Sequence, residues 1–126
     1  MYSNTCLLYK KGWSGINIDI NPTSIDLFNI VRTEDTNLCT TIDENKKIFE
    51  IYYDDPFSPV NTLDKNFYKN LKKKNLGDNK NFRVKSQTIE EIIKASNKKK
   101  IDFINIDVEG MDFNILTKIK IEELKP

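Results

Sequence analysis

Histidine is missing from the 126-residue sequence. That excludes Ser-His-Asp and Cys-His catalysis and every zinc site that needs an imidazole. Cysteine is scarce. Cys6 and Cys39 are the only two, without CxxC spacing, and they cannot hold a structural zinc alone. Acid–base chemistry therefore falls to carboxylates, lysines or tyrosines. No apolar run approaches the roughly 18 residues of a membrane helix. Met1-Tyr2-Ser3-Asn4 lacks the basic region and apolar block of a secretory leader. The expectation is a cytoplasmic protein whose two cysteines are reduced, small core residues. Charge of one sign is not in excess: 20 Lys and Arg stand against 19 Asp and Glu, a net charge of +1. That balance gives no long-range pull toward nucleic acid or an anionic membrane. The length suits a single domain over residues 1–126, with enough chain for a core.

The elements follow from periodicity and punctuation. "SNTCLLYKK", 3–11, reads as a short amphipathic helix with Leu7 and Leu8 inward and Gly12 placed to stop it. "SGINIDI", 14–20, is an apolar, β-branched strand. "NPTSIDLFNIVR", 21–32, is a helix capped by Asn21, with Pro22 in its first turn and a stripe of Ile25, Leu27, Phe28 and Val31. Strands are expected at 37–42, 47–53 and 82–89; the last sets Phe82, Val84 and Ser86 against Arg83, Lys85 and Gln87. Residues 54–62 read as a loop, and 63–81 begin helically and end in a polar turn. Thr88 and Glu91 make a capping-box pattern before "IEEIIKAS". "KKKIDFINIDV" predicts a buried strand over 101–107. "MDFNILTKI", 111–119, predicts a helix with Met111, Ile115 and Ile119 in register.

Strands alternating with helices, two of the strands nearly continuous in apolar residues, indicate a parallel sheet covered on both faces. Such a sheet places its ligand site at the carboxyl ends of the strands. Acids stand there twice. "NIDIN" carries Asp19, and "NIDVEG" carries Asp107 and Glu109. Carboxylates in those positions line a crevice rather than lie buried alone.

"KKGWSGINIDINPTSIDLFNIVR" followed by "TIEEII…IDFINIDVEGMDFNIL" resembles the FkbM-type methyltransferases. The segments that carry the resemblance are Gly12-Trp13 with Gly15, the "IDIN-P" strand end, and "IDVEG" entering a helix. The resemblance covers most of the chain. It implies α/β architecture: a Rossmann-like class I methyltransferase fold, mainly parallel sheet with flanking helices. It implies an S-adenosylmethionine-dependent methyl transfer, expected to an oxygen of a small-molecule, sugar or lipid hydroxyl. The acid ending the strand, Asp19, with Ile20 and Asn21 after it, would then hold the cofactor's ribose. Asp107 and Glu109 have two open roles: catalytic, orienting the acceptor or taking its proton, or capping the helix that follows. The family opens with a strand and a glycine-rich turn, and Met1 falls just after that point; the family also has further strands where Pro126 stands, so truncation is expected at both ends. The fold is therefore expected to be incomplete, lacking that first strand and turn: a fragment, a decayed copy, or a subunit whose partner chain, or self-association, supplies strands. The alternative is a non-catalytic α/β remnant or assembly partner without the cofactor cradle.

Other features take plainer readings. Trp13, before a strand, is expected in the core. The lysine-rich run 69–85 is interleaved with Asn and Asp and has no aromatic platform. It reads as a solvated face rather than an RNA site. Asp107, Glu109 and Asp112 match no metal-loop spacing, so no metal is expected.

Overall fold

The computed structural model describes residues 3–53, 80–108 and 112–119. The loop expected at 54–62 and nearly all of the helix and turn expected over 63–81 lie outside them. So do Glu109, Gly110 and Met111. The elements are α1 (Cys6–Lys10), β1 (Ile16–Asp19), α2 (Pro22–Val31), β2 (Thr36–Cys39), β3 (Ile48–Tyr53), β4 (Lys80–Lys85), α3 (Ile89–Ser96) and α4 (Asp112–Lys118).

Local chemistry sets several of these ends. Gly12 has φ +86°, which ends the α1 turn where a Cβ would be strained. Asn21 caps α2: its Oδ1 accepts from the Thr23 N–H at 2.9 Å, and Pro22 fills the first turn. The capping box at α3 is complete. Thr88 Oγ1 accepts from the Glu91 N–H at 3.2 Å, and Glu91 Oε2 accepts from the Thr88 N–H at 3.1 Å. Thr88→Ala removes half of that exchange. It should cost about 1 kcal/mol of stability, read as a lower urea midpoint at unchanged m-value. An unchanged midpoint would show that tertiary packing alone holds the helix end.

β1, α2 and β2 form one parallel unit, with Ile16 opposite Thr36 and Asp19 opposite Cys39. Alternation along β1 sends Ile16 and Ile18 into the main core, where Ile42, Ile92, Ile115 and Ile119 are buried and Leu38, Ile89 and Ile106 pack against them. The intervening Asn17 meets the end of α2 through Arg32. The pair therefore lies between α2 and the α3–α4 cluster. Both faces of the pair are covered, as expected, but the face toward α2 carries the polar Asn17 rather than an apolar residue.

β3 and β4 form a separate antiparallel pair, in register from Ile48 opposite Lys85 to Tyr53 opposite Lys80. Their alternation fits a sheet with one wet face: Ile51, Val84 and Ser86 are buried while Glu50, Arg83 and Lys85 are exposed. Residues 40–43 stitch the two pairs together. Thr40 N–H donates to the Asp19 carbonyl at 3.1 Å, and Thr40 Oγ1 donates to the Lys85 carbonyl at 2.7 Å. The Gln87 N–H donates to the Thr41 carbonyl at 2.9 Å, beside an isolated parallel bridge between Ile42 and Gln87. Among the described residues the fold class is thus mixed α/β, with two small sheets, one of them a parallel pair.

Four expectations need correction. Residues 101–108 form no strand, and Phe103, Ile104 and Val108 are exposed. An apolar run becomes a strand only when a neighbour completes its ladder, and among the described residues none pairs with it. Ile106 alone of this run packs on the core. In the helices, Leu7, Leu27 and Val31 face outward, because α1 and α2 each have a single packed side. Trp13 is 48% exposed rather than in the core. Cys39 is exposed and Cys6 half-buried, both as free thiols, so neither serves as a core residue.

Candidate functional site

The C-terminal end of the β1–β2 pair is where the site residues read from the sequence begin to gather. The Asp19 carboxylate is half-buried at the end of β1. Its Oδ1 accepts from the Asn21 N–H at 2.8 Å, which folds the 19–21 turn back over the strand end. Among the described residues nothing donates to Oδ2. Ile20 contributes its carbonyl, which accepts a long bond from Cys39 Sγ at 3.7 Å. Asn21 is buried, and its side-chain oxygen is committed to the α2 cap. The turn is thus preorganised, with one carboxylate oxygen fixed and one able to receive hydroxyls. That is what a vicinal diol such as a ribose needs from a strand-end acid. On this observation a ribose diol, such as S-adenosylmethionine carries, fits the turn.

The parallel register brings in two residues that were not read as site residues from the sequence. Cys39 lies directly opposite Asp19, and Thr40 follows it. Both border an open cleft of about 460 Å³, together with Pro22, Lys46, Glu91 and residues 82–87. The signal was available: two four-residue strands offset by 20 positions, joined by one helix, place their last residues side by side. The Cys39 thiol is pushed up by desolvation of its sulfur and then by the charges of Asp19 and Asp26. The residue is exposed as a whole, but its sulfur sits against the Ile20 carbonyl. It stays protonated at neutral pH and is a wall rather than a nucleophile. The Lys46–Glu91 pair at 2.7 Å stands on the rim. Each side chain holds the other charged: the bond to Lys46, then that to Thr88, lowers Glu91, while the bond to Glu91 raises Lys46.

Asp43 anchors the turn that follows segment 40–43. It is buried, and its Oδ1 accepts from the Asn45 N–H at 2.7 Å. Lys118 of α4 lies 4.0 Å away. The Asn45 bond first, and then the Lys118 charge, hold the Asp43 carboxyl below its ordinary value. A carboxyl with a depressed folded pKa stabilises the fold above its unfolded pKa, near 4, and loses that contribution as pH falls through the lower folded value. Asp43→Asn should therefore be less stable than the wild type at neutral pH, and the gap should close on acidification. A gap that persists in acid would mean that shape rather than charge matters there.

Asp107 is exposed, and Asn4 Nδ2 donates to its Oδ2 at 3.4 Å, tying segment 101–108 to the N-terminal turn. Asp112, in the first turn of α4, accepts at its Oδ1 from the Val108 N–H at 3.1 Å, which ties the helix start back to segment 101–108. No described contact joins Asp107 to Asp19. Glu109 lies outside the described residues. Among the described residues no group of three His, Cys, Asp or Glu side chains converges as a metal site. No helix among them is long and apolar enough to cross a membrane.

Sequence reasoning also missed the polar cluster behind β1. The guanidinium of buried Arg32 donates to Ser3 Oγ at 2.7 Å and to Thr5 Oγ1 at 2.8 Å. It lies 3.6 Å from Asp35 and over the rings of Tyr9 and Phe28. Asp35 in turn accepts from the Gly15 N–H at 2.6 Å and from Asn17 Nδ2 at 2.8 Å. This cluster sets the start of β1 and so fixes where its other end, Asp19, is delivered.

No curated protein and no solved structure matches the chain. The model of the methyltransferase FkbM domain matches residues 1–126. That match spans the whole sequence, and the chain belongs to the FkbM methyltransferase domain family.

Proposed function

We propose that the chain carries out, or contributes to, S-adenosylmethionine-dependent methyl transfer to the hydroxyl of a small molecule, sugar or lipid. The observation that supports this reading most is the Asp19 turn at the carboxyl end of a parallel pair, in a chain of the FkbM family. FkbM methyltransferases generally use this cofactor. When bound, it supplies a methyl group made electrophilic by its sulfonium. Asp19 accepts the ribose hydroxyls with its second carboxylate oxygen, while the 19–21 turn holds that oxygen in place. The cleft beside Cys39 and Thr40 receives the base, and the thiol packs against it without reacting.

Asp107 serves the acceptor. Its carboxylate orients the hydroxyl and takes its proton as the oxygen becomes a nucleophile. Asn4 holds the carboxylate from one side only. Glu109 follows two residues later as a second candidate for the same work.

The test is transfer of label from methyl-labelled S-adenosylmethionine to a panel of sugar, lipid and small alcohol acceptors. Label on an acceptor oxygen supports the proposal. Cofactor binding without transfer to any acceptor class points to a binding protein. No binding and no transfer overturns the proposal in favour of a non-catalytic α/β module.

A further inference from the structure

The other end of β1 presents a surface that methyl transfer does not use. Leu7, Lys10 and Lys11 are spaced i, i+3, i+4 and share one side of α1. All three are exposed, Leu7 to 64%. The positive φ of Gly12 then turns the chain outward, so that Trp13 stands in solvent. Lys10 and Trp13 flank one shallow groove of about 380 Å³, which Tyr9, Gly12, Ser14 and Glu34 complete. A second basic run arrives from the end of α3: Lys98 Nζ donates to Ser14 Oγ at 2.5 Å, and Lys99 and Lys100 follow, both exposed. Lys100 is paired with Asp102 at 3.3 Å. Lys10, Lys11, Lys98 and Lys99 form no ion pair among the described residues. The net charge of +1 conceals this clustering, because it sums over the whole chain.

We propose that this rim docks the chain on the surface of an anionic lipid bilayer. Charge complementarity supplies one half of the case, since each lysine brought to an anionic surface contributes to binding within a Debye length. The apolar side chains supply the other half. Leu7 and Trp13 are two exposed side chains, far short of the roughly 20–30 residues a side that a stable protein interface takes. A bilayer interface accepts isolated protruding side chains, and indole in particular settles at headgroup depth. An acidic protein segment would engage the lysines but would leave Leu7 and Trp13 unused.

Trp13 is the only tryptophan in the chain, so intrinsic fluorescence reports this face alone. With phosphatidylcholine vesicles containing phosphatidylserine, the emission should shift to the blue and the protein should co-sediment. Vesicles of phosphatidylcholine alone should do neither, and added salt should reverse both. The double substitution Lys10→Gln with Lys11→Gln should lower partitioning by about 30-fold. Lys99→Gln, on a separate segment, should lower it by about fivefold, which keeps the test valid if the double variant does not fold. No shift with anionic vesicles, or an equal shift with neutral ones, would overturn the proposal. A salt-sensitive shift with soluble polyglutamate but not with vesicles would also overturn it, and would assign the face to an acidic protein.

Discussion

Asp35→Ala is expected to destabilise the protein by about 3–5 kcal/mol, the cost of stranding a buried charge whose partner is removed. The Arg32 and Asp35 side chains are only 6% and 3% exposed. Alanine would leave the Arg32 guanidinium held by hydroxyls and rings but facing no anion. It would also orphan two donors, the Gly15 N–H and Asn17 Nδ2, each costing more when buried and unmet than its bond contributed when made. Against a typical total of about 5–15 kcal/mol, this is enough to leave much of the chain unfolded near physiological temperature. Urea denaturation of the purified variant measures it. A loss below about 1 kcal/mol would show that water reaches the cluster and replaces the carboxylate. The double replacement of Arg32 and Asp35 by apolar residues should be milder than Asp35→Ala alone, because no charge is then stranded.

Asp107→Asn should leave the fold and cofactor affinity intact while turnover falls by about 10²–10⁴, the range for losing a general base. The substitution is conservative here. The amide oxygen still accepts from Asn4, and the bond to the Val108 N–H comes from Asp112. A stability change is therefore not expected to confound the rate. Unchanged turnover would reduce Asp107 to a link between segment 101–108 and the N-terminal turn. Asp112→Ala is the complementary variant, with its effect expected in the melting of α4 rather than in methyl transfer.

What the sequence made legible was local. Asn21 and Pro22, Thr88 with Glu91, and Gly12 each act within a few residues, through a bond to a nearby N–H or a single φ, and all stand where they were read. The alternation of Val84 and Ser86 against Arg83 and Lys85 also needs no partner to be seen. Pairing was harder. "IDFINID" has the composition of a strand, but a ladder is completed by another segment, and composition does not say which. That segment instead exposes Phe103 and Ile104. The Arg32 cluster was invisible for the same reason: its members come from residues 3, 5, 17, 32 and 35, brought together where the N-terminal turn meets the β1–α2–β2 crossover. Of the candidate site, Asp19 was legible from its place at a strand end, while Cys39 and Thr40 required the register between β1 and β2. Trp13 was misread because a tryptophan beside a strand is ordinarily buried, and here the Gly12 turn carries it outward.

The central claim is that the turn at the end of β1 holds the cofactor through Asp19. Calorimetric titration of S-adenosylmethionine into the wild type and into Asp19→Ala tests it most directly. The account predicts saturable binding to the wild type and a loss of roughly 1.5–3 kcal/mol in the variant, since the ribose hydroxyls lose a charged acceptor; that is about 10- to 150-fold in affinity. Binding that is equal in the two proteins, or undetectable in the wild type, would contradict it.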